Sequence, residues 1–290
     1  MRALSCNGDG DMFTRATGCL IVPLWLAAMS WLVVNDMWPG LSAQDPPPLK
    51  VTDWFLHQGA QVQFAIHGED DRLGTIWTAY DIDGDSLQRH DLIWIEHFPL
   101  GVAPLRMEVD SVFTADGVLD EIDVEVESRR GFVQLHGERF HKNFSFTFKA
   151  GPIEKSFKIP LADGGFISGG LSPFGQLVDM KVGDRWRMQV FNPIAALLGI
   201  GDKFIPTLIE VTGRETIVTP QGSTDCLVVE SQNAKAWVDE HGAVLVQELT
   251  LPLVGKLRMV REAAYDADAL SRARKETIYA QDGQGRQWPR

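Results

Sequence analysis

Cysteine is scarce in this chain, with three in 290 residues, and two of them (Cys6 and Cys19) lie in the first twenty positions. Cys226 stands alone in the remainder, so no intrachain disulfide can staple that part and its stability must come from burying a core. Positive charge is also short: 27 Lys and Arg face 39 Asp and Glu. Residues 1 to 40 hold two basic and three acidic residues, which leaves 25 against 36 beyond them. A domain this acidic is repelled by phosphate backbones, which excludes nucleic acid as a partner. The scarcest feature is local. No charged residue at all occurs between Arg15 and Asp36.

That window contains CLIVPLWLAAMSWLVV, Cys19 to Val34, and is nearly all apolar. A helix of about 20 residues spans the roughly 30 Å of a bilayer's hydrocarbon core, so residues 16–38 are expected to form one transmembrane helix. Pro23 falls in its first turns, where a missing N–H matters least, and Trp38 sits where an amphipathic ring prefers the interface. The competing reading is a cleaved export signal, for which Leu41, Ser42 and Ala43 make a poor small-x-small site. Arg2 and Arg15 favour a cytoplasmic tail over 1–15. The expectation is a single-pass protein of the cell membrane, its C-terminal domain on the extracytoplasmic (periplasmic) side.

Residues 39–50 include three consecutive prolines and read as a linker. From 51 to 265 the pattern alternates with period two. Ile122, Val124 and Val126 interleave with Asp123, Glu125 and Glu127; Phe144, Phe146 and Phe148 with Ser145, Thr147 and Lys149; and Trp186, Met188 and Val190 with Arg185, Arg187 and Gln189. Such alternation marks antiparallel strands with one buried and one wet face. Asp83-Gly84, Asp116-Gly117 and His241-Gly242 supply hairpin turns. About a dozen strands are expected, in an all-β, mostly antiparallel curved sheet or half-barrel. Residues 266–290 read as a terminal helix, begun by Asp266 or Asp268, and a polar tail.

The sharpest chemical candidate is Asp120-Glu121-Ile122-Asp123-Val124-Glu125. It resembles the E-x-D-x-E strand of laminarinase-type glycoside hydrolases, and the resemblance implies Glu121 as nucleophile, Glu125 as acid/base and Asp123 as the group that tunes them. Glu127 continues the alternation as an ordinary solvent face does, so the non-catalytic reading is preferred. Asp81, Asp83 and Asp85 lack the glycine and glutamate an EF-hand loop requires, since Ser86 and Leu92 stand there, and a hairpin accounts for them. His136 and His141 are not spaced as a zinc helix pair. Ser172 misses the nucleophile-elbow pattern, and the glycines at 164–170 precede neither lysine nor helix. No metal and no cofactor are assigned on this reading.

Asn192-Pro193-Ile194-Ala195-Ala196-Leu197-Leu198-Gly199-Ile200 reads as a short capped helix that is apolar all round. Leaving Ile194, Leu197, Leu198 and Ile200 in water forgoes roughly 1.5 to 3 kcal/mol each, so something covers them. The covers are the domain's own sheet, an apolar ligand, a partner or the membrane. Ile194, Leu197, Leu198 and Ile200 are therefore the ligand-binding candidates.

In order along the chain, Phe64 to Ile66, Gly74 to Tyr80, Lys181-Val182-Gly183-Asp184-Arg185-Trp186 and Trp237-Val238-Asp239-Glu240-His241-Gly242 resemble the β-domains that precede transglutaminase-like domains in exported bacterial proteins. Those are in turn similar to the half-barrels of periplasmic lipoprotein carriers. The resemblance implies a binding or interaction module for an apolar ligand or a membrane complex. No Cys/His/Asp module follows, so transglutaminase activity is not carried over.

Overall fold

The computed structural model of the chain describes residues 60–69, 71–97, 104–115, 118–129, 131–141, 143–160, 167–169, 179–191, 204–251, 255–276 and 278. The expected span at 16–38, the linker, the Asp116-Gly117 turn, Ser172, Asn192 to Ile200 and the tail lie outside these. Among the described residues no helix is long and apolar enough to cross a membrane.

The strands are β1 (Gln61–His67), β2 (Arg72–Asp83), β3 (Ser86–Ile95), β4 (Leu105–Phe113), β5 (Leu119–Ser128), β6 (Gly131–Phe140), β7 (Asn143–Ala150) and β8 (Ile153–Pro160), then β9 (Ile167–Gly169), β10 (Arg185–Phe191), β11 (Phe204–Thr219), β12 (Gly222–Glu230), β13 (Ala234–Val238), β14 (Val244–Leu251) and β15 (Gly255–Arg261). They form one fifteen-stranded sheet that is not closed, in the order β8-β7-β6-β5-β4-β3-β2-β1-β15-β14-β13-β12-β11-β10-β9. All neighbours are antiparallel except β9 and β10. The fold is thus all-β, two meanders joined where the first strand pairs the last, Phe64 opposite Arg261 and Ile66 opposite Met259.

Local sequence explains the strands. In β5 the side chains of Ile122, Val124 and Val126 are buried while those of Glu121 and Glu125 are exposed, so the alternation is the structural alternation of faces. The hairpin between β2 and β3 turns at Gly84, whose φ of 62° a residue with a Cβ adopts only at a cost. The aspartates at 81, 83 and 85 belong to this exposed hairpin tip.

One face carries the larger core, and the opposite face of the second meander buries a further cluster, Cys226, Val228, Trp237, Leu245 and Val246. Ile76, Ile93, Met107, Val124, Val126, Leu135, Phe144 and Phe146 pack along the first meander, and Trp186, Ile209, Val211, Leu227, Val229 and Val238 along the second. Phe64 and Ala234 touch both groups, which makes the apolar face continuous across the β1–β15 seam.

The single helix described, α1 (Ala267–Lys275), lies on the opposite face. Its Ala269, Leu270 and Ala273 cover Trp77, Leu92 and Trp94. Asp266 is its N-cap, its Oδ1 accepting the Ala269 N–H at 2.8 Å. Both ends are tied to the sheet. Gln63 Oε1 accepts the Asp266 N–H at 2.8 Å, and Arg106 Nη1 donates to the carbonyls of Arg274 (2.8 Å) and Glu276 (3.0 Å) at the C-terminus, where a cation meets the negative end of the helix.

Candidate functional sites

Two polar groupings on the first meander, one on each face, are candidate sites. The first is set into the apolar face, where β2 and β3 align Thr78 with Asp91 and Tyr80 with Arg89. Arg89 and Asp91 are two residues apart on one strand, so both point the same way, into the core face. Arg89 Nε lies 2.8 Å from Asp91 Oδ2 as an ionic contact, and Arg89 Nη2 donates to Asp91 Oδ1 at 3.1 Å. Thr78 Oγ1 donates to the same Oδ1 at 2.5 Å. The Arg89 guanidinium stands 5.9 Å from the centre of the Tyr80 ring. Burial pushes the Tyr80 hydroxyl up to about 12, and burial lowers the Arg261 pKa, with Tyr80 and Asp239 acting against that shift. A charged pair inside an apolar wall fixes a polar point on an otherwise greasy surface.

The second lies on the polar face of the first meander. The register places His90 opposite Asp110, Asp110 opposite Asp123, Asp123 opposite His136 and His136 opposite Thr147. One polar rung therefore crosses β3 to β7. His90 Nδ1 meets Asp110 Oδ1 at 2.5 Å, and His136 Nδ1 meets Asp123 Oδ1 at 2.8 Å. On the next rung Glu121 faces Glu138. Donor atoms of Glu121, Asp123 and His136 all lie within 4.8 Å of one another. Beside them is an open depression of about 370 Å³ lined by Asp123, Glu125, Gln134, His136, Thr147 and Lys149. Gln134 Nε2 donates to Glu125 Oε1 at 2.7 Å.

Glu121, Asp123 and Glu125 thus share one face, as their spacing predicts. His136, whose spacing from His141 does not fit a zinc helix pair, is brought to them by the β5–β6 register, a pairing that no local spacing reveals. His141 is not part of the group; it sits at the turn after β6 with φ 57°. Cys226 is buried in β12, and burial pushes its thiol up to about 11. Ile194, Leu197, Leu198 and Ile200 lie outside the described residues.

No family model matches the chain, and no curated protein matches it. Two solved structures resemble it. A β-barrel-like protein of the domain of unknown function DUF1849 from Brucella abortus has 9% sequence identity, covering 71% of this chain and 97% of that one, with a TM-score of 0.43. A DUF1089 family protein from Pseudomonas aeruginosa has 18% identity, covering 62% of this chain and 90% of that one, with a TM-score of 0.35. At these scores neither likeness bears on function, and the sites rest on their own geometry.

Proposed function

We propose that the chain is a membrane-anchored, non-catalytic β-domain, held on the extracytoplasmic side by residues 16–38, that binds an apolar ligand or an apolar segment of a membrane complex along the core face of its sheet. The observation that carries this reading is the continuity of that face: Phe64 and Ala234 join the two apolar clusters across the seam of an open sheet. The described helix packs on the other face, so it is not the cover of this one. In this reading a helix over 193–199 closes the apolar face, and Ile194, Leu197, Leu198 and Ile200 contact what is bound.

The test is Leu197→Asp in the full chain, purified from membranes in mild detergent, with co-purifying lipid identified by mass spectrometry. Loss of bound lipid together with a lowered melting temperature supports a cover over the apolar face. Unchanged stability with weakened membrane or partner association makes the segment an external docking element and replaces the ligand-binding reading. Unchanged stability with unchanged lipid and association overturns both. A soluble mature protein beginning near Gln44 refutes the anchor.

The open depression lined by Asp123 and Glu125, with Glu121 next on the same face of β5, favours one second reading, hydrolysis of a glycosidic bond. Cleavage of β-glucans that Glu121→Gln and Glu125→Gln both abolish establishes it. Absence of cleavage in the unsubstituted protein removes it.

A further inference from the structure

We infer that Glu121, Asp123 and His136 form a surface site for one divalent first-row transition-metal ion. The geometry of the three donors carries that inference. The donors are of two kinds and come from two strands, two carboxylates from β5 and an imidazole from β6, with all their donor atoms within 4.8 Å of one another. The imidazole suits zinc or nickel and the two carboxylates also admit manganese, whereas calcium and magnesium take all-oxygen sets. Bonds of about 2.0–2.2 Å to a shared ion require the donors to close together slightly, a movement within reach of exposed side chains. His136 Nδ1 and Asp123 Oδ1, hydrogen-bonded at 2.8 Å, exchange that bond for the ion when it binds.

The surroundings supply the driving force. Asp110 faces Asp123 directly, and Glu121 faces Glu138, so four carboxylates occupy two adjacent rungs of three neighbouring strands. Like charges directly opposite one another across a sheet repel, and a divalent ion at the Glu121–Asp123–His136 corner relieves that repulsion. Glu121 and His136 are exposed, so water can complete the coordination, as open metal sites require. The site is on the opposite face from the apolar wall, so it stands or falls independently of the binding reading above. It also differs from the hydrolase reading, which needs Glu125.

The experiment is titration of the full-length protein in mild detergent, stripped with chelator, with Mn2+ and separately with Zn2+, followed by calorimetry. Mn2+ serves because it avoids the thiols of Cys6 and Cys19. The expected result is one saturable equivalent of Mn2+, weakened about tenfold or more by each of Glu121→Gln, Asp123→Asn and His136→Gln, since loss of a ligand costs at least what loss of its supporting partner does. Glu125→Gln and His141→Gln leave it unchanged. Circular dichroism and melting temperature verify that the variants, all at surface positions, stay folded. As a second readout, substoichiometric Mn2+ broadens the imidazole proton signals assigned to His136 by its substitution and spares those of His141. No saturable binding of either ion overturns the inference, as does binding that survives His136→Gln or spreads over many weak equivalents.

Discussion

Removing Asp91 alone should be among the most damaging single changes in this sheet. The Arg89 side chain is 11% exposed and that of Asp91 10%, so the pair is desolvated on a face otherwise built from Ile76, Ile93 and Val124. Asp91→Leu leaves the guanidinium in place, with its ionic contact and its Nη2 hydrogen bond gone and Thr78 Oγ1 without its acceptor. Breaking a buried pair from one side costs about 3–5 kcal/mol, because the remaining charge keeps its desolvation penalty and loses its compensation. With a urea m-value of about 2–3 kcal/mol/M for a domain of this size, the midpoint falls by about 1–2.5 M. The double change Arg89→Met with Asp91→Leu removes both charges, and well-packed apolar replacements for a buried pair are often neutral or better. The double variant should therefore regain most of the loss. Urea unfolding followed by tryptophan fluorescence reads both. A single variant within about 1 kcal/mol of the parent refutes the reasoning, as does a double variant no more stable than the single.

Four further outcomes are expected. Gly74→Ala should be severely destabilising or fail to fold, because the added Cβ would sit 2.0 Å from the Trp94 carbonyl oxygen, a backbone atom that cannot step aside; yield and melting temperature measure it, and a near-parental melting temperature contradicts it. Arg106→Ala should release the C-terminal end of α1 and also lose the contact with Glu127, costing about 1–3 kcal/mol and raising amide exchange in 267–275 before the strands respond. Tyr80 retains its proton in the folded state up to about 12, whereas in the unfolded chain it ionises near 10, so its contribution is intact below pH 10 and is lost as pH rises towards 12. Tyr80→Phe should flatten the alkaline fall in stability by up to about 3 kcal/mol, and an unchanged alkaline profile refutes the assignment. The buried Cys226 thiol, pushed up to about 11, should react with a thiol reagent only when the protein unfolds, and rapid native labelling at that position contradicts its burial.

The elements were legible where chemistry is local. Alternation gave the faces of β5 and of Phe144 and Phe146 in β7, and Asp266 ahead of an alanine-rich run gave the start of α1. For β10, Trp186 is buried and Arg187 exposed, as its pattern predicts. Long-range order was not legible. Nothing in Phe64 or Arg261 announces that they face each other across nearly the whole domain, because the backbone hydrogen bonds that join them are common to every residue and no short turn links the two strands to set their register. The same limit hid the second candidate site. Glu121 and Asp123 could be read as neighbours on one face, but His136 joins them only through the register of a separate strand, and Arg106 serves α1 from 168 positions before Arg274.

The pairing of β1 with β15 also sets a clock. Residue 64 must wait for residue 261 before its strand has both neighbours, and the first meander keeps an open edge until the last strand of the sheet has been made and delivered. Contacts this distant in sequence make folding slow, since the entropy of closing the loop is lost before the contact rewards it. An unpaired edge exposed for that interval invites pairing with other chains. A chain cut short before β15 would thus not lose a peripheral strand. It would leave two half-sheets with no seam, each presenting an apolar face, and such a fragment would aggregate or be degraded.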